Sequence, residues 1–290
     1  MVMTKNSLKN SNENKTENTP LKNSTKRKNA PRQQKINPSM VDNTLKCRHE
    51  MKYVITESKT AAITKFIQPY VHYDRYCKLQ PNHIYPIVSL YLDSANLKLC
   101  RESLEGHKNR FKLRIRSYSD DHDYPRFLEI KRRINTIILK SRAKIRHVDI
   151  DRLLSGRNIN PQNKTDEDIL RQFQLYMHSI NAGPVVRIRY MRQAYENDSE
   201  NRVRITFDTD LCYNIQNSND LSLNGRNWQR HSLKGVILEI KFTGRYPAWI
   251  NRMVECFDLR RRSMSKYATS LQNAHALGFT APVIPMQYLT

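Results

Sequence analysis

The sequence predicts an α+β fold: a closed, mostly antiparallel β-barrel that forms a tunnel with a basic interior, with helices packed outside. Three observations predict it. Six segments alternate charged and apolar residues at the two-residue period of a strand. The charged positions are dominated by Arg and Lys. Segments of helical spacing lie between the strands and supply apolar stripes to cover their other face.

The strands carry the argument. Phe127-Leu-Glu-Ile-Lys131 and its near-copy Ile237-Leu-Glu-Ile-Lys241 place Glu129 with Lys131 and Glu239 with Lys241, opposite Leu and Ile. In Lys112-Leu-Arg-Ile-Arg116, the bases Lys112, Arg114 and Arg116 oppose Leu113 and Ile115. Arg187 and Arg189 oppose Val186, Ile188 and Tyr190, while Arg202 and Arg204 oppose Val203, Ile205 and Phe207. Arg48, Glu50 and Lys52 alternate with His49, Met51 and Tyr53, and a further strand from Ile137 carries Lys140, Arg142 and Lys144. Like charges directly opposed destabilise a sheet. Two of them ~6 Å apart repel by roughly 3 kcal/mol at an effective dielectric of ~20. A face that accumulates this repulsion strand after strand needs a polyanion.

Taken in order, residues 1–45 are rich in Asn, Lys, Ser and Thr without an aromatic, and predict a disordered basic tail. Residues 46–280 form the tunnel domain, and 281–290 a C-terminal tail. Thr56 is placed to cap a helix on which Ile63, Phe66, Ile67, Tyr70 and Val71 recur at helical spacing, with Pro69 expected to kink or end it. Val88–Asp93 predicts a strand, Ala95–Leu104 a short helix, and Ser119–Asp123 the turn of a hairpin. Thr165-Asp-Glu-Asp168 marks a helix start with acids in its first turn, and Gly183-Pro184 its end. The two arginine strands then pair, and Asn214–Leu233 reads as a loop. Pro247 suits a first helical turn before the stripe of Trp249, Ile250, Met253 and Phe257, and Ser265-Lys266-Tyr267 opens a last helix. The count is at least seven strands with four or five helices.

Composition narrows the partner. The 290 residues carry a formal net charge of +23, which implies a polyanion. No apolar run approaches a membrane span and no signal-peptide core is present, so a cytoplasmic protein with no membrane span is expected. The five cysteines include no C-x-x-C pair, and neither a P-loop nor a dinucleotide glycine motif occurs. Bulk charge alone binds nucleic acid without specificity. Stacking platforms are expected beside the bases of a single-strand binder, yet Tyr190 and Phe207 fall on the apolar face, so no specific nucleic acid partner is expected.

A barrel of about eight strands has an interior just wide enough for one slender ligand, and a linear chain of phosphates suits that width and charge. Arginine offers forked donors to phosphate oxygens, and lysine a compact point charge. Glu50, Glu129 and Glu239 among so many bases read as ligands for a divalent metal that bridges carboxylate and phosphate. The alternative is that each pairs with the Lys two residues on.

Arg48-x-Glu50-x-Lys52-Tyr53, Leu113-Arg114-x-Arg116, Leu128-Glu129-x-Lys131, Arg202-x-Arg204-x-x-x-Asp208, Leu238-Glu239-x-Lys241 and Ser265-Lys266-Tyr267 occur in that order. Together they resemble the catalytic domain of the vacuolar transporter chaperone complex, a polyphosphate polymerase of the CYTH-like triphosphate tunnel metalloenzyme superfamily, over roughly Cys47 to Gly278. The resemblance implies transfer of the γ-phosphate of ATP onto inorganic polyphosphate with release of ADP. It implies that Lys52, Arg114, Arg116, Lys131, Lys140, Arg187, Arg204 and Lys266 hold triphosphate and polymer. Glu239 is implied as the ligand of Mn²⁺ or Mg²⁺. Arg142, Lys144, Arg189, Arg202 and Lys241 stand as further phosphate-binding candidates, either ligands or rim charges. Hydrolase and cyclase relatives open with E-x-E-x-K, where this chain has Arg48. The loss of one carboxylate favours a polymerase or binder over a triphosphatase.

Overall fold

The computed structural model describes residues 48–135, 137–161, 163–198, 202–278 and 280. The expected tails, 1–45 and 281–290, lie outside them. The strands are β1 (Arg48–Ile55), β2 (His72–Tyr73), β3 (Tyr85–Asp93), β4 (Asn109–Ser117), β5 (Arg126–Ile134), β6 (Ile137–Ile145), β7 (Gly183–Glu196), β8 (Val203–Ile215), β9 (Gln229–Arg230) and β10 (Val236–Thr243). They form one ten-stranded sheet in the order β1-β10-β8-β7-β3-β4-β5-β6, with β2 on β7 and β9 on β8. Every pair is antiparallel. The helices are α1 (Glu57–Ile67), α2 (Arg75–Lys78), α3 (Lys98–Leu104), α4 (Ile150–Leu154), α5 (Lys164–Ser179), α6 (Ala248–Cys256) and α7 (Lys266–Ala276). No helix among the described residues is long and apolar enough to cross a membrane.

The alternation decides which way each strand faces. Ile205, Phe207, Leu238 and Ile240 pack with Ile63 and Ile67 of α1 and with Ile250 and Met253 of α6. Leu113, Ile115, Leu128 and Ile130 pack with Leu170, Phe173 and Met177 of α5. Each such side chain, fully buried, contributes about 1.5–3 kcal/mol, so these two layers fix the charged positions on the opposite face. That face is concave. Lys131 of β5 reaches Glu50 of β1 at 3.4 Å, although five strands separate them along the sheet.

The expected closed barrel is met only in part. Among the described residues no ladder joins β1 to β6. The free edge of β1 is instead taken by the segment before α7: the Arg262 amide donates to the Lys52 carbonyl at 2.8 Å, and the Arg261 guanidinium donates to the Glu50 carbonyl at 3.3 Å.

Caps follow sequence chemistry. Thr56 accepts from the Lys59 amide at 3.3 Å, and α1 stops at Ile67, ahead of Pro69, so Tyr70 and Val71, expected on the helix, lie beyond its end. Asn163 accepts from the Asp166 amide at 2.8 Å, so α5 begins slightly before the acidic run. Helix α3 starts from Leu97 in the left-handed region (φ 56°) with no side-chain cap of its own. The buried Asp93 carboxylate does that work from the end of β3. It accepts from the amides of Leu99 and Cys100, both at 2.9 Å, and from the Tyr267 hydroxyl of α7 at 2.5 Å. Asp93→Ala strands these donors and is expected to cost about 2–4 kcal/mol, read as a lowered urea midpoint at unchanged slope.

Candidate functional site

The concave face encloses a cavity of about 140 Å³ lined by nine cationic side chains and three carboxylates. Of the residues singled out from the sequence, Lys52, Arg114, Arg116, Lys131, Lys140, Lys241 and Lys266 meet there with Glu50, Glu129 and Glu239. They come from five strands and from the start of α7. Register brings them together: Lys52 lies opposite Glu239, Arg114 opposite Glu129, and Lys131 opposite both Lys112 and Lys140.

Glu129 is buried and committed to guanidinium groups. Arg114 Nε donates to it at 2.7 Å with its Nη2 on the same oxygen, while Arg116 lies at 3.4 Å and Arg142 at 3.3 Å. Burial alone would raise its carboxyl, but Arg114 and Arg116 hold it well below the usual carboxylate range. It orients the arginine pair and does not fit a metal ligand. Glu50 and Glu239 differ. Glu50 takes Lys52 at 2.8 Å and Lys131 at 3.4 Å, and Glu239 takes Lys241. Burial and the nearby Glu239 push the Glu50 carboxyl up, yet Lys131, Lys52 and Lys241 bring it down to about 2. Among the described residues no three His, Cys, Asp or Glu side chains gather as a metal cage. Two carboxylates completed by phosphate oxygens are nonetheless the donor set that suits Mg²⁺, and this pair fits it.

Lys266 is anchored by Asp208 at 2.6 Å, which also accepts from Arg192 Nε at 2.6 Å and Nη2 at 2.8 Å. Among the described residues no carboxylate pairs with Lys112. Its ammonium donates to Ser265 Oγ at 2.7 Å, and burial with Lys131 and Lys52 pushes it down to about 7. Because the unfolded value is ~10.4, folding disfavours the charged form. The penalty is full below pH ~7 and fades as the pH rises towards the unfolded value. A bound polyanion restores the proton. Tripolyphosphate binding at pH ~8 is therefore expected to take up roughly half to one proton from this group, and almost none at pH ~6. Calorimetry in buffers of different ionisation enthalpy measures it.

Other expected residues lie elsewhere. Arg142 reaches Glu129 from the rim, its guanidinium 3.9 Å from the Phe127 ring centroid. Lys144 is exposed in a second cleft with Arg75, Tyr76 and Tyr124. Arg204 shares the inward face of β8 but is held by Asp74 at 2.6 Å and Glu196 at 3.1 Å, and the exposed Arg202 pairs with Glu196 at 3.1 Å.

Arg187 and Arg189 do not reach the cavity. Arg187 is fully buried beneath the loop after β8, held by Asp220 and by Ser222 Oγ at 3.0 Å, and stacked 4.4 Å from Trp228. Arg189 stacks on Trp228 at 4.7 Å and donates to the Leu223 carbonyl at 2.7 Å. A Cβ on Gly225 would lie 2.8 Å from the Arg187 guanidinium, so the loop is shaped around this arginine. In β7 the apolar set faces inward: Val186 and Ile188 pack with Ala268 and Leu271 of α7, and Tyr190 and Arg192 line the cavity. The expectation that Tyr190 points away from the bases is thereby corrected. Period-two alternation separates two faces but does not say which is concave.

Lys112, Arg192, Tyr91, Tyr190, Met264 and Ser265 also line the cavity and were missed as site residues. Lys112 had its signal in the basic face of β4. Arg192 shares the parity of Tyr190, and that face became basic only past Ile188.

A model of the VTC domain family matches residues 47–275. No curated protein matches the chain. Among solved structures it is similar to a candidate adenylate cyclase from Bacillus halodurans, at 12% identity and a TM-score of 0.41, covering 74% of this chain and 92% of that one. It is similar to the PH1819 protein from Pyrococcus horikoshii OT3, at 15% and 0.36, covering 78% and 98%. It is also similar to HpAC1 from Hippeastrum, a candidate adenylyl cyclase with a dominant triphosphatase activity, at 14% and 0.44, covering 81% and 97%. None of these three carries the assignment, which rests on the family match over most of the chain. The chain belongs to the VTC domain family.

Proposed function

We propose that this protein is a metal-dependent polyphosphate polymerase that transfers the γ-phosphate of ATP onto a polyphosphate chain and releases ADP. The observation that carries the reading is the charge imbalance in the cavity: nine cations against three carboxylates, in a space that admits little beyond a phosphate chain. Phosphoryl transfer asks a protein chiefly for position and charge. Arg114 and Arg116, fixed by Glu129, present forked donors to phosphate oxygens. Lys52, Lys131, Lys140, Lys241 and Lys266 surround them as point charges. Glu239 with Glu50 would hold Mn²⁺ or Mg²⁺, which supplies neutralisation of phosphate charge when bound. Arg142 at the rim, and Lys144 in the neighbouring cleft that Arg142 also lines, would guide polymer, while Arg187, Arg189, Arg202 and Arg204 would serve as supports.

The carboxylates also favour polymer over water as acceptor. A base suited to activating water titrates near the working pH, and Glu50 is held at about 2. The terminal phosphate of a polymer is already an anion and needs no base. Incubation of the pure protein with ATP and Mn²⁺ is expected to give long polyphosphate and one ADP per phosphate transferred. Orthophosphate without polymer would overturn the reading.

A further inference from the structure

Ser265 does more than cap α7. Its Oγ accepts from the Ala268 amide at 3.3 Å, as an N-cap does. It also meets Lys112 from β4 at 2.7 Å, and it lines both the cavity and the wider cleft, of about 700 Å³, that shares Glu50, Lys52 and Lys131 with it. A hydroxyl held by an ammonium at the wall of a cavity rich in bases is a positioned nucleophile.

We propose that Ser265 is a phosphoryl acceptor: beside Lys112, its hydroxyl takes the γ-phosphate of a bound nucleoside triphosphate when no polyphosphate end is present to receive it. The proposal rests on the reading of the cavity as a triphosphate site. Lys112 is paired in register with Lys131, and burial with Lys131 and Lys52 brings it to about 7. A bound triphosphate restores the proton, and the Lys112 ammonium then donates to Ser265 Oγ, which holds the hydroxyl in place. In the step, Ser265 Oγ attacks the γ-phosphorus. The new Oγ–P bond forms as the bond from phosphorus to the β,γ-bridging oxygen breaks. That electron pair leaves with the nucleoside diphosphate, and the hydroxyl proton moves to an oxygen of the transferred phosphoryl group, whose charge the Lys112 ammonium offsets. The ester is held by what made it: a Lys112 ammonium, the first amides of α7, and Lys52, whose Nζ lies 3.4 Å from the Met264 carbonyl.

Peptide mass spectrometry in the first turnover, with protein in excess over ATP and Mn²⁺ present, tests this before polymer ends accumulate. The expected result is one phosphoryl group on Ser265 with an equal amount of ADP, suppressed when short-chain polyphosphate is added with the ATP. Ser265→Asn keeps a capping side chain but has no nucleophile and should stay unlabelled, whereas Ser265→Thr should be labelled. Lys112→Met should slow labelling at least tenfold. Ser265 unmodified in that first turnover, with polymer formed on further ATP, overturns the acceptor and leaves the polymerase standing. Labelled Ser265 without polymer supports the acceptor and counts against the polymerase. Neither product overturns both.

Discussion

Glu239→Gln is expected to lower the rate of polyphosphate synthesis by about 10²–10³-fold, the scale seen when one element of a charge-built site is removed. The same change should tighten metal-free binding of tripolyphosphate by roughly tenfold, because a negative charge beside the phosphates disappears. Glu239 is only 7% exposed. Burial acts to raise its carboxyl, but Lys241, Lys52, Lys266 and Arg192 keep it ionised far below the usual range. An amide of the same size meets those bases without the charge and is a poor ligand for a divalent cation. Steady-state kinetics and calorimetry on one preparation separate the two effects. Weaker binding together with slower turnover would point to local collapse and not to a lost metal ligand.

Glu129→Gln should cost about 3–5 kcal/mol of stability, since breaking a buried ion pair leaves uncompensated charge inside. Arg116 is 6% exposed and Glu129 4%, so water offers the orphaned guanidiniums little relief. Urea unfolding is the measurement, and tripolyphosphate at a hundred times its Kd should restore about 2.7 kcal/mol if it binds the vacated arginines. The wild-type contribution is full above the unfolded carboxyl value of ~4.3 and is lost as the pH falls through the depressed folded value. Arg202→Ala, which removes an exposed pair with Glu196, should change stability by less than ~1 kcal/mol.

How much of this was legible in the sequence differs by strand. In β1, β4, β5, β6 and β10 the apolar parity is covered by α1, α5 and α6, so reading Lys52, Arg114, Lys131 or Lys241 as inward needed only the two-residue period. In β7 the same period misled. Arg187 and Arg189 found partners in Trp228, Asp220 and Ser222, more than thirty residues on, and α7 took the inward face. Nothing local encodes that choice. Arg204 was assigned to the right face, but its partner Asp74 comes from a distant turn that no pattern connects to β8. Lys112 was visible as a base, whereas its want of a carboxylate emerges only once Lys52 and Lys131 stand next to it. Glu129 and Glu239 sit in near-identical pentapeptides. One faces arginines and the other lysines, and that difference decides which can hold a cation.

The unjoined margins of the sheet have a bearing on girth. A cylinder shut by backbone pairing takes its diameter from strand number and stagger and yields only when a ladder breaks. Here the span from β1 to β5 is bridged by the Glu50–Lys131 pair, a contact of the kind worth about a kilocalorie at most where water reaches it. The calibre can therefore breathe with ionic strength and with the cargo itself, widening for a strand wrapped in hydrated cations and drawing in around a bare one.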